Sequence, residues 1–217
     1  WNNRNARRKQ SGTLIWWFKD FLDRVGHDKA TLVMHTDTKD QHGQDLDAII
    51  AELGLTDGQV MFSRAKVPPS DMAGLYNMSD VTINISDAEG FGLATLESLS
   101  CGTPILVNMT GGLQDQVTDG ENWFGIGLEP SSKALIGSQQ VPYIYEDRLN
   151  KDDFLDALNK LYDMGPEDRD KLGSGGRAWV EKKFNFDDFI NTWDTLFTEL
   201  NESAGSWDDR ENYTPYE

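Results

Sequence analysis

Between Leu14 and Val107, short apolar runs alternate with segments whose apolar residues recur every three or four positions. That alternation restricts the possible folds more than any other feature of the chain. Leu14, Ile15, Phe18, Phe21, Leu22 and Val25 have helical spacing, so an amphipathic helix is predicted from the second decade onward. Residues 31–35 form a brief apolar run of strand length. Leu46, Ile49, Ile50 and Leu53 then mark a helix closed by Gly54. The order continues with a strand at 60–62, a short helix at 72–76, a strand at 81–85, a helix at 93–100 and a strand at 104–107. Strands joined through helices pair in parallel, and their continuous apolar character requires cover on both faces. The predicted fold class is therefore α/β, a parallel sheet with helices on both sides.

The second half reads differently. Residues 129–149 form a long connection containing Val141-Pro-Tyr-Ile-Tyr145, and helical patterns follow near 151–163, 166–183 and 186–201. In the last, Phe186, Phe189, Ile190, Trp193, Leu196, Phe197 and Leu200 make one stripe. A core-facing stripe is expected, wide enough to leave some aromatic area for a second surface. From Ser203 the chain is polar and poorly patterned, so residues 203–217 read as a loosely ordered acidic tail and residues 1–202 as one domain.

The net charge of −17 disfavours loose attachment to nucleic acid or anionic membrane, and no such partner is expected. No apolar run approaches the length of a membrane span. Cys101 is the single cysteine, which excludes an internal disulfide and suggests a reducing, cytoplasmic compartment. Asn77, Asn84 and Asn108 begin Asn-X-Ser/Thr triplets, but Asn84 falls in a predicted buried strand, so these are read as chance. The chain opens on Trp1 inside what reads as an active segment, and is expected to be a piece of a longer protein.

The segment Ser86-Asp-Ala-Glu-Gly-Phe-Gly-Leu-Ala-Thr-Leu-Glu-Ser98 carries the chemistry. The strand ending near Ile85 runs into Glu89-Gly-Phe-Gly92 and a helix begins at once. In an open α/β sheet, ligands sit at the carboxyl ends of strands where helices start. The first amides of a helix lack internal partners and its dipole favours negative charge, so a phosphate or diphosphate fits there. Glycines at 90 and 92 let the backbone come close. Two carboxylates beside an anion would repel a bare phosphate, so Glu89 and Glu97 need other partners. Hydroxyl groups suit them, since a carboxylate accepts two hydrogen bonds from a diol. A sugar on one side of a diphosphate and a ribose on the other satisfies both, and the implied ligand is a sugar nucleotide.

The stretch from Glu89 to Glu97 resembles the Glu-X7-Glu motif of retaining glycosyltransferases of family 4, which have the GT-B fold. Leu75-Tyr76, Ser79-Asp80-Val81, Cys101-Gly-Thr-Pro104, Gly111-Gly112 and Val117-Thr-Asp-Gly120 fit the same pattern, over about residues 3–128. The resemblance implies a Rossmann-like, donor-binding C-terminal half of a GT-B enzyme, with an acceptor-binding N-terminal domain elsewhere. It implies transfer with retention from a nucleotide-diphosphate sugar, as substrate, to an unknown acceptor, with no cofactor and no metal. By the same resemblance Glu89 contacts the transferred sugar. The amides of Gly90, Phe91, Gly92 and Leu93 meet the diphosphate, and Glu97 holds the ribose. Arg4 and Lys9 match the family's Arg and Lys, five residues apart, that neutralise the diphosphate. Arg7 and Arg8 leave that alignment ambiguous. Val67 lies where the base is read through backbone groups. Two departures stand out: Asp115 occupies the place of a usual Glu after Gly111-Gly112, and the 129–149 connection is longer than the family norm. It reads equally as a lid, an interdomain contact or a surface insertion.

Other readings come from the same residues. Asp45-Leu-Asp47 has the Asp-X-Asp form of metal-dependent sugar transferases, yet it opens a helix, where acidic residues act as caps. His27, His35 and His42 lack ligand spacing, and His35 reads as a satisfied core residue. A module that holds a sugar nucleotide without transferring it would need the same cradle, whereas the clustered match around Glu89 argues against a GT-B-like sugar-nucleotide epimerase.

Overall fold

A computed structural model of the chain describes residues 1–206. They fall into two compact units, Trp1–Ala178 and a second that begins at Trp179. The first unit carries every strand among the described residues. β1 (Leu32–His35) pairs in parallel with β2 (Val60–Ser63), Leu32 opposite Val60. β3 (Thr82–Asn84), β4 (Ile105–Asn108) and β5 (Gly125–Leu128) form a second parallel sheet in that order, with Thr82 opposite Ile105 and Ile105 opposite Gly125. All residues of β3 and β4 are buried, as continuous apolar runs require of a sheet covered on both sides.

The helices follow the sequence pattern. α1 (Ser11–Val25) buries Leu14, Ile15, Trp17, Phe18, Phe21 and Leu22, the face the spacing identifies. It packs on α6 (Lys151–Asp163), where Trp17 and Phe154 have ring centroids 5.3 Å apart. α2 (Leu46–Leu53) starts at Asp45, whose carboxylate accepts from Ala48 N at 3.0 Å, and ends at the left-handed Gly54. Asp47 accepts from Thr38 Oγ1 at 3.0 Å and from Arg64 at 2.6 Å. Both carboxylates of the Asp-X-Asp are thus engaged in holding the helix start. His35 is half-buried, with Nδ1 2.9 Å from Ser63 Oγ.

α3 (Pro69–Asn77) and α4 (Leu93–Ser100) flank the second sheet, and a short α5 (Gln114–Val117) follows a 3-10 turn at Gly111–Leu113. α7 (Pro166–Lys183) spans the boundary between the units. The strand order, helix cover and parallel register make this a Rossmann-like α/β fold. A cavity of about 620 Å³ lies at the N-terminal ends of the strands, lined by Trp1, Phe18, Leu32, Val81 and Ile83, and includes none of Arg4, Lys9, Val67, Glu89, the 90–93 turn or Glu97.

Two regions differ from what the sequence pattern suggested. The 129–149 connection contains an antiparallel hairpin, β6 (Ser132–Ile136) with β7 (Ile144–Arg148). In the second unit, α8 (Phe186–Ala204) carries the aromatic stripe, capped by Asn185, but buries none of its residues. Phe186 is 71% exposed and Trp193 43% exposed. The rings instead contact one another along the helix, with Trp193 and Phe197 centroids 5.3 Å apart. Helical period identifies which face is apolar and is silent about what covers it, so the expectation of a core-facing stripe is not met. α8 runs through Ala204, and the tail expected from Ser203 otherwise lies outside the described residues.

Candidate functional site

The loops at the C-terminal ends of β3 and β4 converge with the segment that precedes α1. Ser86 leaves β3 fully buried, bonded to Asn84 Oδ1 through its amide at 3.1 Å and its hydroxyl at 2.5 Å. Asn108, ending β4, donates to Ser86 O at 2.8 Å. The Asp87 amide donates to Arg8 O at 2.8 Å, and Arg8 returns a bond to Ala88 O at 2.5 Å. These bonds lay the 3-10 turn Arg7–Lys9 directly against the loop that carries Glu89.

The consequence is a shielded ion pair. Lys9 Nζ bonds to Glu89 Oε2, with side chains only 9% and 10% exposed. Arg8 lies 3.8 Å from the other oxygen. Burial lowers the pKa of Lys9, partly offset by its hydrogen bond to Glu89. Glu89 Oε1 also accepts from Gly90 N at 3.2 Å, so this amide is engaged by the preceding side chain.

Past Glu89 the chain turns tightly into α4. Gly92 adopts φ 88° as N-cap, a left-handed conformation that side-chain-bearing residues rarely take, and no side chain caps the helix. The first-turn amides of Leu93 and Ala94 therefore have no partner within α4. Phe91 and Leu93 turn their side chains outward, 43% and 66% exposed, leaving the backbone to line the turn. Gln116, fully buried on α5, donates to Phe91 O at 2.6 Å and accepts from Thr95 Oγ1 at 2.7 Å. Gly112 N donates to Gly90 O at 3.0 Å. Gly111 sits so close that a Cβ there would lie 1.7 Å from Glu89 O, at φ 51°. The Gly111-Gly112 pair is thus a consequence of backbone meeting backbone beneath the turn.

Glu97, in the second turn of α4, is exposed and accepts from Tyr76 Oη at 2.7 Å. Tyr76 is buried at the end of α3 and in turn accepts from Asn2 Nδ2 at 2.7 Å. Burial, more than any neighbour, raises the Tyr76 pKa, which keeps the hydroxyl a donor to Glu97. Val67 is half-buried in the loop after β2, just before Pro68, the N-cap of α3.

Of the residues picked from sequence, the structure brings Lys9, Glu89 and the 90–93 turn together, with Glu97 further along α4. It does not bring Arg4 to that pair. Arg4 is exposed and holds Asp40 with two bonds, Nε at 2.6 Å and a terminal nitrogen at 3.1 Å, pulling the Asp40 carboxyl down to about 2. Asp115 is exposed on α5. Among the described residues, no group of three or more His, Cys, Asp or Glu could hold a metal.

Sequence reasoning missed the residues that hold the loops in register. Gln10 adopts φ 55°, among the described residues the one non-glycine at positive φ, and its side-chain amide bonds to Asp87. Asp87 and Glu146 are each only 3% exposed. Arg148 reaches Asp87 at 2.5 Å and Glu146 at 3.1 Å, while Arg7 takes both Glu146 oxygens at 2.9 and 2.5 Å. Arg7 lowers the Glu146 pKa, whereas burial raises that of Asp87. Nothing in the residue pattern of 144–148 signals this, because Arg7 lies 139 positions from Glu146 and Asp87 lies 61 from Arg148.

Residues 4–179 match the family described as "Glycosyl transferases group 1". Among curated relatives, the chain is 43% identical over 77 residues to the D-inositol 3-phosphate glycosyltransferase of Acidothermus cellulolyticus, covering 36% of this chain and 17% of that protein. The matched part spans from 16% to 32% of the length of curated relatives of this name. Among solved structures, Anabaena Alr3699/HepE in complex with UDP-glucose superposes with TM-score 0.67 at 17% identity, covering 91% of this chain and 47% of that one. The C-terminal domain of a glycosyl transferase group 1 family protein, LpcC from Francisella tularensis, gives TM-score 0.61 at 21% identity, covering 85% and 83%.

Proposed function

Because the chain belongs to the glycosyl transferases group 1 family, of GT-B type, we propose that it is the nucleotide-sugar-binding half of a retaining, family 4 transferase. The carrying observation is the shielded Lys9–Glu89 pair at the mouth of an uncapped α4, with Glu97 one helical turn beyond. In this reading the diphosphate lies over the amides of Phe91, Gly92, Leu93 and Ala94, where the helix dipole and Lys9 offset its charge. Glu97, oriented by Tyr76, accepts from the ribose hydroxyls, and backbone near Val67 meets the base. Glu89 accepts from hydroxyls of the sugar on the far side of the diphosphate. The solved relative in complex with UDP-glucose supports a donor of this class.

The reaction proposed for these placements retains configuration at the anomeric carbon. The bond between the sugar's anomeric carbon and the diphosphate oxygen breaks, and the acceptor oxygen bonds to the same face of that carbon. The acceptor proton passes to the departing diphosphate, and in this reading no protein nucleophile, metal or cofactor takes part. Negative charge grows on the diphosphate as it leaves, and Lys9 with the helix amides stabilises it most at that moment. Arg4 joins them by exchanging Asp40 for the diphosphate.

The chain covers 47% of the Anabaena protein; in this reading an acceptor-binding domain outside the chain supplies the other wall of the cleft. By itself the chain binds donor and transfers nothing. We assign it to the cytoplasm, where sugar nucleotides are made. Calorimetry of the chain with UDP-, ADP- and GDP-glucose in the presence of a chelator tests the reading: binding of at least one is expected. A folded chain that binds none of them would refute it.

A further inference from the structure

The β6–β7 hairpin is tied into the site by groups that have no reason to be buried in a surface insertion. Glu146 and Asp87 are both 3% exposed, and withdrawing two carboxylates from water is expensive unless their partners are fixed. Those partners converge on the segments carrying Lys9 and Glu89. Arg7 and Gln10 flank Lys9 along the chain, and Asp87 stands two residues before Glu89. Arg148 spans Asp87 and Glu146, so the hairpin closes a loop running Arg7, Glu146, Arg148, Asp87, Gln10. Main-chain bonds complete it: Asp147 N to Asp87 O at 2.8 Å and Asp87 N to Arg8 O at 2.8 Å. Asn108 Nδ2 and Thr110 Oγ1 on the far side fix Asp147 at 3.2 and 2.7 Å.

We propose that Glu146 and Arg148 are positioning residues: the hairpin sets the register of the Lys9 turn against the Glu89 loop, and so places both groups for the sugar diphosphate. The strained φ of 55° at Gln10 fits this role, since the side-chain bond to Asp87 holds a backbone conformation that a free turn would abandon. Arg148 does this through its planar fork, which reaches two carboxylates at once, a geometry that a lysine of equal charge cannot reproduce. The inference rests on the donor-binding reading above.

The test uses the 217-residue chain with Glu146→Gln and Arg148→Lys, each close in size to the residue replaced, and Tyr143→Ser at the exposed end of the hairpin as a control. Affinity is measured for UDP-, ADP- and GDP-glucose and for the matching nucleoside monophosphates, which lack the sugar and second phosphate. Both network variants should bind the sugar nucleotide about tenfold more weakly while monophosphate affinity stays within about twofold, the scale of a misplaced charge-assisted contact. Tyr143→Ser should leave both affinities unchanged. Equal losses for both ligands, or none, would overturn the proposal. Amide hydrogen exchange without ligand gives a second arm: exchange at Asp87 and Asp147 should quicken in the network variants while β4 keeps its protection. If the unaltered chain binds no sugar nucleotide, the donor reading fails. Unchanged exchange at Asp87 and Asp147 would overturn the positioning role by itself.

Discussion

Replacing Gly111 by alanine should damage the candidate site through backbone alone. The residue sits at φ 51°, and its new Cβ would lie 1.7 Å from Glu89 O and 2.8 Å from Glu89 C. An L-residue in this left-handed region costs about 1–2 kcal/mol. Relieving the contact requires the Glu89 carbonyl to retreat by about an ångström, which also breaks the neighbouring bond from Gly112 N to Gly90 O, worth about 1 kcal/mol. The stability loss is then about 2–3 kcal/mol, or roughly 5–10 °C in Tm for a chain of this size. Gly54→Ala provides the comparison. Gly54 has φ 69° with nothing within 4 Å of the added Cβ, so it suffers the conformational strain without the collision. Thermal melts and calorimetry with a sugar nucleotide separate the two. Gly54→Ala should lose about 1 kcal/mol and bind normally. Gly111→Ala should lose more, and its displaced loop should weaken binding by about tenfold or beyond. If the two variants melt alike and both bind normally, the close approach beneath the turn has no functional consequence and the reasoning is wrong.

Other outcomes follow from single contacts. Tyr76→Phe removes the hydroxyl that orients Glu97 and leaves Asn2 without its acceptor, so affinity for nucleoside diphosphate should fall by about three- to tenfold, read by calorimetry. The Asp40 carboxyl, held at about 2 by Arg4, gives a pH readout. Its folded value lies below the unfolded one of 3.8, so the pair's stabilisation is fully present above 3.8 and fades as pH falls through about 2. In a carboxyl NMR titration, Arg4→Met should return Asp40 toward 3.8, and saturating nucleoside diphosphate should do the same if Arg4 leaves for the ligand. An unmoved Asp40 with ligand bound would remove Arg4 from the site.

The fold was legible where burial imposes a simple period. Val81 to Ile85 and Pro104 to Val107 stand out because a doubly covered strand is apolar throughout, and α1 because its buried face recurs at helical spacing. The cradle was legible too, since glycine, carboxylate and helix start lie within thirteen consecutive residues. The hairpin was not. Ser132–Ile136 and Ile144–Arg148 are half exposed and mixed in character, so neither alternation nor a solid apolar run reveals them. The pairing of Lys9 with Glu89 was also out of reach, because it depends on Asp87 and Arg8 meeting across eighty residues of chain. Arg4 and Lys9 looked equivalent by spacing, but the left-handed Gln10 and the short 3-10 turn direct Lys9 inward while Arg4 faces Asp40. Spacing along the chain gives candidates; the turn between them decides which one enters the site.

The central claim is a division of labour: Glu89 serves the sugar and Glu97 the nucleoside. Its most direct test compares UDP-glucose with UDP (or the preferred base's equivalents) as ligands of the unaltered chain, Glu89→Ala and Glu97→Ala. Each carboxylate contributes a charge-assisted hydrogen bond of about 1.5–3 kcal/mol, so a tenfold change or more is measurable. Glu89→Ala should bind the sugar nucleotide at least about tenfold more weakly yet keep its affinity for the diphosphate alone, since in this reading the carboxylate meets only the sugar. Glu97→Ala should lose affinity for both ligands by the same factor. Equal losses for both ligands in the Glu89 variant, or a sugar-specific loss in the Glu97 variant, would contradict the account.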